Sequence, residues 1–197
     1  DSYHWVEGTA RRYSSGPQGE VSILIAFRDI DAELAAAELE HRASHDTLTG
    51  LLNRDEATER LTEILDSPGT HPVAVAFCDV DDFKVINDTY GHLAGDAVLQ
   101  SLADSIRARV RDVDHVARFG GDEILVVLDG VRDLTDAERI ADSVRRRVQA
   151  PIRYGHDLLD VTMSIGVTLV SPGEPIEALL DRVDLAMYKA KRDGKNR

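Results

Sequence analysis

Two stretches decide the fold: VAVAFCDVDD at 73–82 and RFGGDEILVVL at 118–128. Val73 to Cys78 is continuously apolar and β-rich, as a strand covered on both faces must be. Asp79 ends that run, and a carboxylate at the exit of a central strand sits on the rim where α/β folds place their sites. Asp79 and Asp81 share a face by strand parity if the strand extends that far. Asp81-Asp82 also reads as the start of a helix, whose positive N-terminal end favours acids. The helix-start reading is preferred for Asp82 and a functional one for Asp79. The second stretch gives strands at Val116–Phe119 and Ile124–Leu128, with Gly120-Gly121-Asp122-Glu123 between them. Two glycines let the backbone turn sharply and let a ligand approach the main chain. Alone, this is an ordinary polar hairpin turn. Beside Asp79 on a neighbouring strand it becomes a candidate cation site, and hard carboxylate oxygens without His or Cys suit Mg²⁺ over zinc.

Outward from these strands the chain alternates in period. Ala57, Leu61, Ile64 and Leu65 mark a helix that stops in Ser67 to Pro72. Val98, Leu99, Leu102, Ile106 and Val110 mark a second helix. Thr135 with Glu138 reads as a capping box, followed by Ile140, Ala141, Val144 and Val148 at helical spacing. Leu159 to Leu169 is apolar at every second position, a one-face strand, and Pro175 opens a last helix through Met187. The order predicts an α/β domain with a mixed sheet and helices packed on it.

The N-terminus reads differently. Tyr3 to Tyr13 and Glu20 to Arg28 are strand-like, and Ser14 to Gly19 is dense in turn-formers, so 1–29 predicts a β-hairpin. Two strands alone in water are marginal, so the hairpin is expected to belong to a larger sheet. Its pattern resembles the last two strands of a PAS sensor domain; an unrelated hairpin is the alternative. Residues 30–43 are rich in Ala, Glu and Leu and predict a helix. Ile30, Leu34 and Ala37 make a narrow stripe that suits either a short coiled coil or a plain linker. The chain opens on Asp1, which leads to the expectation that it is part of a longer protein.

The 197 residues carry 23 basic and 36 acidic side chains, a net charge of −13. Gripping nucleic-acid phosphates needs a basic stripe, so a nucleic-acid partner is not expected. A phosphate-bearing substrate would be repelled unless a divalent cation stood between. The single cysteine, Cys78, excludes a disulfide scaffold and fits a reducing cytoplasmic setting. No apolar run reaches the roughly 18 residues that cross a bilayer, so no membrane contact is expected in this segment.

Taken together, DTLTGLLNR (46–54), FCDVDDFKVINDTYGHLAGD (77–96), RFGGDEI (118–124) and VDLAMYKAKRDGKN (183–196) resemble the GGDEF family of diguanylate cyclases. The resemblance runs from Ser44 to Arg197 in order and spacing. It implies a ferredoxin-like sheet flanked by helices, akin to nucleotidyl cyclases and polymerase palms. It also implies condensation of two GTP into cyclic di-GMP and two pyrophosphates by a homodimer. By the same resemblance Asp79, the Val80 carbonyl, Asp122 and Glu123 hold Mg²⁺ or Mn²⁺, and Glu123 assists deprotonation of the 3′-hydroxyl. Asn87 and Asp96 read guanine, with Phe83 and His92 beside them. Lys84, Arg118, Lys191 and Lys195 neutralise the triphosphate, and Gly120 and Gly121 let it lie close. The departures are Ile124 where Phe is usual and Lys195 where Arg is common; Lys lacks the bidentate fork for phosphate.

The family's product-binding pattern is Arg-x-x-Asp five residues before the GGDE run, where Arg111 and Asp114 stand. Arg28/Asp31, Arg109/Asp112 and Arg139/Asp142 show the same spacing, so register alone selects this pair. A solvated pair at a turn is the plain alternative. Two rival functions remain at this level: a non-catalytic nucleotide-binding GGDEF module, and a cyclase closing one GTP on itself.

Overall fold

The computed structural model describes residues 4–15, 20–67 and 69–197, and the chain divides into two compact units, 1–43 and 44–197. In the first, β1 (Val6–Ser15) pairs antiparallel with β2 (Glu20–Asp29), from Val6 opposite Asp29 to Ser15 opposite Glu20. Ile23, Ile25 and Phe27 share one exposed face, and the Phe27 ring lies against Gly8. The expected turn residues 16–19, and Tyr3, lie outside the described residues. Helix α1 (Asp31–Ser44) follows at once. Asp31 ties the joint by accepting from the Trp5 amide at 2.7 Å and contacting His4 Nδ1 at 2.6 Å. Leu34 is exposed on α1, and the side chain of Ala37 lies outside the described residues.

The second unit is a sheet between two helical layers. Its strands run β4 (His115–Gly120), β5 (Glu123–Leu128), β3 (Ala74–Val80), β8 (Met163–Leu169), every neighbour antiparallel. The sheet is thus antiparallel throughout, where the sequence predicts a mixed one; parallel pairing is confined to an isolated bridge from Leu52 to Ala117. Strand parity sorts β3 between two cores. Ala74, Ala76, Cys78 and Val80 pack with α4 (His92–Arg107) and α5 (Leu134–Val148). Val75 and Phe77 pack with α2 (Arg54–Asp66) and α6 (Ile176–Arg192). All seven β3 residues are buried, as the unbroken apolar run requires. Asp79, of odd parity, therefore belongs to the α6 side.

The structure corrects several boundaries. The 159–169 run is not one strand: β7 (Asp157–Leu159) pairs with β6 (Ile152–Tyr154) in a separate hairpin turned at Gly155, and β8 starts at Met163. A separate helix, α3 (Phe83–Tyr90), precedes α4, with Gly91 at φ 85° between them. Val110 lies beyond α4, part-buried against the core. The α5 cap is Asp133, which accepts from the Asp136 amide at 2.8 Å, rather than Thr135. The register of Ala137, Ala141, Val144 and Val148 carries the helix back to Leu134, and the cap follows it. Helix α2 is capped by Asn53, whose Oδ1 accepts from the Glu56 amide at 2.9 Å; Pro68, in its predicted stop, lies outside the described residues.

Candidate active site

The site grows from the end of β3. Asp79 is 6% exposed and pairs in register with Glu123 on β5. Directly opposed residues bring their side chains within about 5 Å, which is unfavourable for like charges. Burial, followed by the neighbouring charges of Asp122 and Asp81, pushes the Asp79 carboxyl up despite Lys191 beside it. Burial and the charges of Asp79, Asp122 and Asp184 likewise push Glu123 up. Lys191 Nζ stands 2.6 Å from Asp79 Oδ1, an ion pair that partly offsets the burial of this carboxylate.

The ligand atoms of Asp79, Asp122 and Glu123 do not all lie within 4.8 Å of one another; among the described residues only His4, Asp29 and Asp31 do, at the hairpin joint. A closed carboxylate cage is not needed for Mg²⁺, which keeps waters and completes its shell with substrate phosphate. A buried carboxylate at the strand end, Glu123 opposed to it and an oxygen-only donor set together fit a hard divalent cation.

The GGDE turn is braced from below. A bulge at Phe119 shifts the β4–β5 register, and Gly121 adopts φ 39°. Arg118 does not reach out freely. Its Nε and Nη2 donate to the Gly121 carbonyl at 2.9 and 2.8 Å, and Nη1 donates to Asp46 at 3.2 and 3.3 Å. Burial raises Asp46, but hydrogen bonds from Thr49 and the Arg118 charge outweigh it and hold the carboxyl low. Asp46 opens the DTLTGLLNR run, yet residue spacing gave no hint of its partner 72 residues away.

Helix α6 delivers the lysines. Gly166 on β8 makes room for it: a β-carbon there would fall 2.1 Å from the Met187 backbone nitrogen. Lys191 reaches Asp79 from the last turn. Lys195, just past the helix, donates to both Asp82 oxygens at 2.7 and 2.8 Å. Asp82 starts α3 as expected, its carbonyl accepting from the Val85 amide at 2.8 Å, while its side chain makes no capping bond and holds Lys195 instead.

The α3–α4 corner gathers the guanine candidates. A β-carbon on Gly95 would lie 2.1 Å from Asn87 Oδ1 and 3.0 Å from the Phe83 ring, so Gly95 is the seat on which both rest. Asp96 follows it, part-buried; Lys84 and His92 are exposed at the starts of α3 and α4. Gly95 was missed because nothing local marks a helical glycine as a contact point.

Arg111 and Asp114 are joined, but not as a solvated pair. The Asp114 side chain is 1% exposed and accepts from the Arg111 amide, Arg111 Nη2 and the Asp129 amide at 2.8, 2.8 and 3.1 Å. Asp114 thus aims Arg111, whose side chain is about half exposed.

Residues 43–197 match the family described as diguanylate cyclase, GGDEF domain. The chain belongs to the GGDEF family. This GGDEF chain is 43% identical over 163 residues to the diguanylate cyclase TpbB of Pseudomonas aeruginosa, covering 81% of this chain and 38% of TpbB. It is 40% identical over 157 residues to the response regulator PleD of Caulobacter vibrioides, covering 77% of this chain and 34% of PleD. The coiled coil and GGDEF domain of DgcB from Caulobacter crescentus, solved in complex with c-di-GMP, matches with a TM-score of 0.76 at 27% identity, over 84% of this chain and 90% of that one. The GGDEF chain therefore spans under two fifths of the length of TpbB or PleD.

Proposed function

We propose that this chain is the catalytic part of a diguanylate cyclase, joining two GTP into cyclic di-GMP with release of two pyrophosphates. The observation that carries the reading is the buried Asp79 carboxylate, opposed to Glu123 beside an intact GGDE turn. Asp79, the Val80 carbonyl, Asp122 and Glu123 hold the divalent cation, Mg²⁺ with Mn²⁺ as a substitute. When bound, the cation polarises the phosphates and eases departure of pyrophosphate.

The residues of the chain do the rest. Asn87 and Asp96 orient guanine against the Phe83 and His92 corner, an Asp accepting N–H groups and an Asn serving either edge. Lys84, Lys191 and Lys195 neutralise the triphosphate, and Arg118 keeps the Gly120-Gly121 turn shaped for it. The 3′-oxygen of one GTP bonds to the α-phosphorus of the other, the α–β bridging P–O bond breaks, and the hydroxyl proton passes to a carboxylate. Glu123, raised by burial and by Asp79, suits that proton. One domain offers one guanine pocket, so two copies face each other and catalysis is largely orientation.

In this reading residues 1–29 end a PAS-type sensor, 30–43 relay its state, and Arg111, aimed by Asp114, binds cyclic di-GMP as a feedback ligand in the cytoplasm. No described helix is long and apolar enough to cross a membrane. The test is incubation with GTP and Mg²⁺, followed by chromatography and product mass. Cyclic di-GMP is expected. Its absence would leave a nucleotide-binding module, and a cyclic mononucleotide would reassign the reaction.

A further inference from the structure

Asp81 takes no part in the roles above, yet it is only 6% exposed. Its Oδ2 accepts from Thr162 Oγ1 at 2.6 Å and from the Asn196 amide at 3.1 Å, and its Oδ1 accepts from Ser164 Oγ at 2.7 Å. Its own amide donates to the Thr162 carbonyl at 2.9 Å. Burying a carboxylate is costly unless donors satisfy it, and here three do. Starting α3 would require none of them, since α3 begins at Phe83.

A second observation leads to the same place. Among the described residues, the non-glycine positions at positive φ are Asp82, Lys195 and Asn196, at 56°, 59° and 52°. All three meet here: Lys195 on Asp82, Asn196 on Asp81. Such backbone strain persists only where surrounding contacts over-determine it, and it gathers at functional sites. Asn196 is held from behind as well. Arg145 Nη1 donates to its carbonyl and Oδ1 at 3.0 and 2.7 Å, and Gln149 Nε2 donates to the same Oδ1 at 2.8 Å. The Ile165 amide donates to the Arg197 carbonyl at 2.8 Å, which lays the tail along β8.

We propose that Asp81 is a positioning residue: it clamps the turn after β3 to β8 and, through Asn196, to the C-terminal tail, fixing the Asp79–Val80 edge. The inference rests on the proposed cyclase reading. Val80 opposite Met163 is the last ladder pair of β3, so beyond it the Asp81 clamp takes over. The peptide is planar, so holding Asp81 at its amide and side chain also fixes the direction of the Val80 carbonyl. Groups standing behind metal ligands typically change metal affinity about 10- to 100-fold when altered.

The experiment measures affinity for 3′-deoxy-GTP, which binds but cannot be joined, by calorimetry in Mg²⁺ and in EDTA. Wild type should bind more tightly in Mg²⁺. Asp81→Asn should cut that gain about tenfold and leave the EDTA affinity within about twofold. Asn196→Gly keeps the left-handed backbone, the amide to Asp81 and the carbonyl that accepts from Arg145, but loses the Oδ1 shared by Arg145 and Gln149, so it should lose part of the gain. A purely structural Asp81 would weaken both affinities alike and lower the melting temperature, leaving their ratio unchanged; that result overturns the proposal. If Asp81→Asn does not fold, an unchanged ratio in Asn196→Gly overturns it equally. A wild type without any Mg²⁺ gain would instead count against the cyclase reading itself.

Discussion

Asp79 stands opposite Glu123 on the β3–β5 ladder, and both carboxyls are pushed up, Asp79 chiefly by burial and Glu123 by burial and then by the charge of Asp79. A raised carboxyl lends stability below the ordinary carboxylate range and loses it as pH climbs through the raised value. Metal-free Asp79→Asn should therefore melt higher than wild type at neutral pH, by on the order of 1 kcal/mol or a few degrees. The two should converge as pH falls below the ordinary carboxylate range. The same variant should lose roughly a hundredfold or more in cyclic di-GMP formation. Calorimetric melting in EDTA across pH checks the first half, and a variant melting below wild type at pH 7 would refute it.

Lys195 is held by Asp82, and in the proposed reading the same ammonium also serves the triphosphate. Exposed pairs are weak, so the competition should be modest. Asp82→Asn should lower KM for GTP about twofold with kcat unchanged, and should do nothing in a Lys195→Ala background. A higher KM in Asp82→Asn would mean that Asp82 presents Lys195 rather than detains it.

Gly166 and Gly95 are close-approach positions with different consequences. Gly166→Ala forces α6 off β8, because the obstacle is backbone, and should cost about 1–3 kcal/mol. Gly95→Ala meets the Asn87 side chain, which can move, so its effect should appear as a roughly tenfold higher KM for GTP. Denaturant unfolding alongside steady-state kinetics separates them; matching stability losses would sink the distinction.

For product feedback the two residues of the Arg-x-x-Asp pair should behave unequally. Arg111→Ala should relieve cyclic di-GMP inhibition at little cost in stability, since the side chain is half exposed. Asp114→Ala should relieve it too, and should also destabilise by on the order of 2 kcal/mol, leaving the Arg111 and Asp129 amides without their acceptor. Equal inhibition of Arg111→Ala and wild type would reduce this pair to a turn brace.

If two copies share the reaction, specific activity should rise with protein concentration over the range where light scattering shows dimer forming. Flat activity in a proven monomer would contradict the two-pocket geometry.

How far the sequence reaches depends on the distance between partners. The run 73–78 announced a strand buried on both faces because each of its residues meets a core. Asp79 announced itself as a carboxylate abutting that run. Asp81 and Asp82 did not, because their partners Asn196 and Lys195 lie 115 and 113 residues away. The α5 cap slipped by two residues because Ser, Thr and Asp all cap, and only the packing of Ala137 chooses among them. The 159–169 run kept its alternation across Asp160 to Thr162, so periodicity could not see that strand pairing breaks there. The Arg118 brace needed a fold to bring Asp46 to β4.

One consequence of the alternation along β3 concerns the lone thiol. Cys78 precedes Asp79 but points to the opposite core, where it is 1% exposed and burial pushes its pKa up to about 12. Only thiolate reacts readily, so a reagent must wait for β3, the strand between β5 and β8, to leave the sheet. Alkylation of Cys78 thus works as a built-in clock for opening of the whole domain, and ligands that tighten the rim should slow it without ever touching sulfur.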